Sequence, residues 1–154
     1  MAITVRRGEL HVTPVNVDSA GVFAVGDLMW LDTTGPDFKK ASQKADVGDA
    51  AANRVDFKTD FAGISVDRKL VGETTKTSLT IARAGDAEGT VASTTFEIGD
   101  LIGVFNDATI NSDQTVAKVT VVGEAFGYAL RQGTSVTKIL FRFVSTKLNP
   151  FAIV

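Results

Sequence analysis

The chain has 154 residues, 44% hydrophobic and 22% charged, with ten Phe, no Cys and a formal net charge of −2. Those proportions describe a chain that folds rather than a disordered one. The missing thiols exclude disulfides and thiolate metal sites, and the slightly acidic balance gives no electrostatic footprint for direct nucleic-acid binding. A fold of this size buries roughly 68–70% of the surface its unfolded chain exposes, so it needs no structural staple.

At the N-terminus, Met1 to Gly8 holds no apolar stretch of signal-peptide length, and no run anywhere approaches the ~18 apolar residues of a membrane span. The chain is therefore expected to stay away from membranes, in the compartment where it is made. Period-two apolar runs then dominate. Leu10 to Val17, Leu28 to Leu31, Gly63 to Val66, Thr77 to Ala82, Thr115 to Val122 and Val136 to Val144 read as strands. Turn clusters separate them at Thr33 to Asp37, at Ala84-Gly85-Asp86 and at Gln132 to Ser135. The spacing is that of a β-barrel or β-sandwich. In the last strand Ile139, Phe141 and Phe143 share one face, while Leu140, Arg142 and Val144 make a mixed face that is half-buried or turned to a partner.

One segment departs from the β pattern. From Asp46 to Phe61, good helix formers follow acidic residues, which predicts a short helix with Ala50, Arg54, Phe57 and Phe61 on one side. Its two Phe rings would pin it across an open end of a barrel as a lid.

An internal repeat organises the rest. Phe23-Ala-Val-Gly-Asp-Leu-Met29 returns as Phe96-Glu-Ile-Gly-Asp-Leu-Ile102. After it, Lys39 to Ser42 corresponds to Val116 to Val119, Phe61 to Ile64 to Phe126 to Ala129, and Thr77 to Ile81 to Thr137 to Phe141. The expected fold is mainly β, built from two related β units (about 23–82 and 96–144) with the helix inserted in the first. An N-terminal arm over 1–9, a barrel domain over 10–146 and a C-terminal tail over 147–154 complete the organisation. In each repeated heptapeptide the Gly lets the backbone turn, and Asp27 or Asp100 accepts a local N–H. Asx turns need no further function, so an acid/base or cation role for the two carboxylates is the weaker reading.

Chemistry is hard to find. His11 is the single His, and neither nucleophilic catalysis nor a metal site is built from one His without clustered partners. No catalytic, metal-binding or cofactor-binding residue is assigned, and no enzyme activity or cofactor is expected. The Gly-rich stretch Arg83 to Thr90 lacks the ending of a phosphate loop and reads as a hairpin or mobile loop. Trp30 and Tyr128 both lie in apolar strands, where packing outweighs stacking on a ligand.

The ends remain. Leu148-Asn-Pro-Phe-Ala-Ile-Val154 is apolar for a terminus, and burying Phe151 and Ile153 is worth roughly 1.5–3 kcal/mol each, on this domain or on a neighbour. Ile3-Thr-Val5 has the composition to add a strand to a sheet edge of a partner, and Arg6-Arg7 to pair with acidic groups on another protein.

The order of elements is strand, Val-Gly-Asp-Leu, strand, an Ala-rich helix running into Phe57-Lys-Thr-Asp-Phe-Ala-Gly-Ile-Ser-Val66, strand, and a second Gly-Asp turn. That order, over most of 10–146, resembles small decoration (cement) proteins of tailed-bacteriophage heads. The resemblance implies a barrel-rich, non-enzymatic protein, made in the host cytoplasm and bound in many copies outside the capsid of the virion. Its partners would be the major capsid protein and itself, with a trimer favoured. Ile3, Val5, Arg6, Arg7, Phe151 and Ile153 are the expected capsid or subunit contacts. Two alternatives stand beside it: a tail or baseplate subunit, and a glycan- or oligonucleotide-binding barrel that stacks its ligand on Trp30 and Tyr128.

Overall fold

The computed structural model describes residues 3–5, 11–35 and 37–148. The strands are β1 (Thr4–Val5), β2 (His11–Asn16), β3 (Leu28–Leu31), β4 (Phe38–Lys40), β5 (Phe61–Ser65), β6 (Ser78–Phe96), β7 (Leu101–Asn106), β8 (Asn111–Val119), β9 (Gly127–Ala129) and β10 (Gly133–Val144). The helix α1 (Ala50–Asp60) lies between β4 and β5. The fold is mainly β, as the alternating pattern requires, and it contains a closed five-stranded barrel.

That barrel runs β6, β10, β9, β7, β8 and back to β6. All its ladders are antiparallel except the closing one, where Thr90 of β6 meets Thr115 of β8 in parallel. The first part of β6 also belongs to the first sheet in chain order, the antiparallel set β2, β6, β5, β3, β4. The 19-residue β6 thus serves both sheets. The turn expected at Ala84 to Asp86 and the loop expected over Arg83 to Thr90 are corrected here, because both lie in the middle of β6. Glycine at 89 is a packing requirement: a Cβ there would stand 3.0 Å from the Phe141 ring and 3.1 Å from Val116. The turn expected at Gln132 to Ser135 is already partly β10.

The barrel core gathers Phe57 and Phe61 with Phe96, Phe126, Phe141 and Phe143. Phe61 stacks on Phe126 with ring centroids 4.4 Å apart, and Phe57 meets Phe61 at 5.7 Å and Phe126 at 6.3 Å. Such ring pairs add about 0.5–1.5 kcal/mol each beyond their buried area. The helix therefore packs on this core through Phe57, whereas Phe61, expected on the same helix face, is the first residue of β5. The helix starts where Asp49 accepts the Ala52 N–H at 2.8 Å, and Arg54 pairs with Glu124 at 3.2 Å to fasten it to the barrel. A second, smaller core of Val15, Val17, Phe23, Met29, Ala62, Leu79 and Ile81 lies in the first sheet.

The two Gly-Asp turns share their bonding atom for atom. Asp27 Oδ2 accepts the Ala24 N–H and Asp100 Oδ2 accepts the Glu97 N–H, both at 2.8 Å. Gly26 N–H donates to Ser65 O at 2.7 Å and Gly99 N–H to Ala129 O at 2.8 Å. Met29 faces Gly63 and Ile102 faces Gly127 across the next ladder. Across the other, Lys40 pairs with Met29 and Lys118 with Ile102. These ladders set Gly63 against Gly127 and Lys40 against Lys118, one residue away from the correspondence read in the sequence. The match of Ile81 with Phe141 holds, since they face Ser65 and Ala129 in turn.

Candidate functional site

A concavity lies outside the barrel, where β9 passes between β7 and β10. Gly127 lets the strands approach there, since a Cβ would come within 2.3 Å of Arg142 O. Strand register then sets four side chains abreast. Leu101 faces Tyr128, Tyr128 faces Arg142, and Arg142 faces Asp86. This row forms one wall of an open groove of about 580 Å³. Its floor is apolar, with Phe126 and Phe143 buried beneath it and Ala84, Ala125 and Val144 beside them. Val122, 73% exposed, stands at the rim, and Gly123 lies between Val121 and Val55, both also exposed.

Arg142 grips Asp86 with two hydrogen bonds, Nε to Oδ1 at 2.7 Å and one terminal nitrogen to Oδ2 at 3.0 Å. The carboxylate raises the guanidinium's pKa above its ordinary value, with Tyr128 adding to the effect. Tyr128 itself is 41% exposed, so its ring and the Arg142 plane are presented to solvent together. Exposed Tyr and Arg beside an apolar floor are the residue types that carry binding energy at protein interfaces. Both oxygens of the Asp86 carboxylate are thus engaged by the guanidinium.

The residues singled out in the sequence fall elsewhere. Ile3 is fully buried in the barrel core and Val5 packs against it, while Thr4 and Val5 pair with Glu88 and Ala87 of β6. The strand addition expected on a partner's sheet thus takes place within this chain. Ile3 is corrected from a contact residue to a core residue because its side chain fills space beside Gly89. Arg6, Arg7, Phe151 and Ile153 lie outside the described residues. Leu148, where the described chain stops, packs against the smaller core. His11 opens β2 opposite Ala84. Among the described residues, no group of three or more His, Cys, Asp or Glu is placed to hold a metal ion.

Trp30 and Tyr128 do not form a common platform. The Trp30 indole N–H donates to Lys40 O at 2.8 Å, and the Lys44 ammonium covers the ring at 4.2 Å from its centroid. Lys44 also binds Asp56 at 3.1 Å and Asp60 at 2.8 Å, and Asp60 binds Lys147 at 3.2 Å. Burial alone would raise the Asp60 carboxyl, but the two ammoniums outweigh it and hold its pKa below the ordinary value. Trp30 thus ties the helix to the first sheet, and only Tyr128 faces solvent. Its exposure was not visible in an apolar-looking strand; the signal was its place one residue before the buried Ala129, on the opposite face of β9.

The two turn carboxylates are held apart, each serving its own turn. Asp27 is 3% exposed, and burial pushes its pKa above the usual carboxylate value despite hydrogen bonds from Ala24 N–H and the Gln114 amide. Asp100 is held below that value by the Glu97 N–H and by Lys118. Compared with known proteins, the chain matches no family model, and no curated protein matches it in sequence.

Proposed function

We propose that this chain is a non-enzymatic structural protein, built from two related β units, that binds the outside of a tailed-phage head and stabilises the shell. Its partners are the major capsid protein and further copies of itself, with a trimer favoured, and it resides in the virion after synthesis in the host cytoplasm. The observation that carries the reading is the apolar groove beside Tyr128 and Arg142, continuous with the exposed Val121, Val122 and Val55. Exposed apolar patches of this kind, rimmed by polar groups, mark association surfaces. The resemblance in element order to head decoration proteins supplies the kind of partner. A protein that binds the closed shell better than the ruptured one stabilises it by linkage, and many modest contacts suffice when each oligomer bridges several capsid subunits.

The test is co-sedimentation of purified protein with expanded heads that lack it. Saturation at a fixed stoichiometry is expected. Val122→Asp, which places a charge at the rim, and Tyr128→Ala should weaken binding at least tenfold while circular dichroism stays unchanged. Heads left bare by well-folded wild-type protein would remove the proposal, and labelled protein confined to tails would replace it with the tail-subunit reading.

A further inference from the structure

The second concavity lies at the first Gly-Asp turn, a shallow pocket of about 440 Å³. Its rim is aliphatic and exposed: Val22 is 41% exposed, Val25 45% and Leu70 50%, with Val71 beside them at 84%. The fold does not require these residues. Val25 occupies the second position of a turn whose geometry is set by Gly26 and Asp27, a position open to most residue types. The lining beneath is positively charged, although the whole chain carries a formal charge of −2. Lys40, Arg68 and Lys69 face one acid, Asp27.

The compensation of these charges is incomplete. Lys69 is buried at 1% exposure, and its ammonium donates to the carbonyls of Ser19 and Gly21, which are not anions. Lys40 lies 3.5 Å from Asp113, whose carboxylate is already shared with the backbone and hydroxyl of Ser42. The exposed Arg68 guanidinium has no partner among the described residues. Asp27 is occupied by Ala24 and Gln114. An apolar rim over uncompensated cations attracts a group that is itself apolar and singly anionic. A net charge of −2 does not favour a polyanion.

We propose that this pocket is a docking site for an aliphatic segment of another polypeptide that carries an acidic side chain. Arg68 and Lys40 meet the carboxylate, and Val22, Val25 and Leu70 cover its apolar flank. The inference rests on the reading that the chain works by binding protein, and it adds a second contact surface of different chemistry from the groove.

The test uses the full, ¹⁵N-labelled chain with hexanoate as the probe, and hexan-1-ol, hexylamine and inorganic phosphate as controls. Hexanoate should shift the amide signals of Val25, Arg68 and Leu70 saturably, at least tenfold more tightly than any control. Arg68→Glu should abolish those shifts, and Tyr128→Ala in the distant groove should leave them unchanged. Equal binding of hexanol or hexylamine, equal binding of phosphate, no saturable shift at this turn, or an unaltered titration in Arg68→Glu would each overturn the proposal. None of these outcomes depends on head binding, so failure here and failure of the decoration reading are told apart.

Discussion

The two Gly-Asp turns have the same hydrogen bonds and different surroundings. At the first, an added Cβ on Gly26 would sit 2.3 Å from Ile3 O, and Asp27 is buried against Gln114 of β8. At the second, a Cβ on Gly99 would meet nothing within 4 Å, and Asp100 pairs with Lys118 at the surface. Both glycines have positive φ, 95° and 91°. Identical local chemistry therefore has two consequences. The first turn is wedged between the N-terminal strand and the barrel, and the second only reverses the chain.

The largest expected contrast follows from that wedge. Gly99→Ala should cost about 1–2 kcal/mol, the penalty of a left-handed backbone alone. Gly26→Ala adds the displacement of Ile3 and should cost about 2–5 kcal/mol, because overpacking brings a further 1–3. Urea denaturation of the pair measures the difference, and equal losses would break the comparison. Next come the carboxylates. Asp27→Ala strands a turn N–H and the Gln114 amide in a buried place, for about 1–3 kcal/mol. Asp100→Ala removes a more exposed bond and ion pair, for less than about 1 kcal/mol.

A smaller contrast lies in the pH dependence. Asp27 titrates above the ordinary carboxyl value of 3.8 in the folded state, so its contribution to stability falls as pH rises from that value through its raised pKa. Asp100 titrates below 3.8, so its contribution is present above that value and is lost as pH falls through its depressed pKa. Asp27→Asn should flatten the decline on the less acidic side, and Asp100→Asn should remove part of the acid-side loss. Urea midpoints followed from strong acid to neutrality separate the two, and slopes changed in the same sense would contradict the assignment. Smallest of all, Val25→Ser and Ile98→Ser, at the exposed tips of the two turns, should each alter stability by no more than about 0.5 kcal/mol. Val25→Ser alone should weaken the hexanoate titration.

Several elements were legible because their cause is local. Leu28–Leu31 and the run from Val136 to Val144 declare themselves by composition and alternation, and α1 by its Asp49 cap and Ala-rich first turn. The length of β6 was not legible. Gly85 and Gly89 look like chain breakers in one dimension, and only the crossing of Phe141 and Val116 over Gly89 shows a glycine chosen for closeness. The groove was hidden for a related reason: Leu101, Tyr128, Arg142 and Asp86 come from four strands and meet only through register. The basic pocket was equally invisible, since Lys40 ends β4 and Arg68 lies in the loop after β5.

By itself, the sequence determined the β class, the helix and the repeated turn, because alternation, capping and a left-handed glycine act over a few residues. Tertiary structure alone decided that Ile3 is core, that Trp30 is covered by Lys44 and Tyr128 is not, and that the Gly and Asp of one turn are buried while those of its counterpart are not. Burial and charge compensation are properties of what the rest of the chain brings alongside a residue, and no local pattern carries that information.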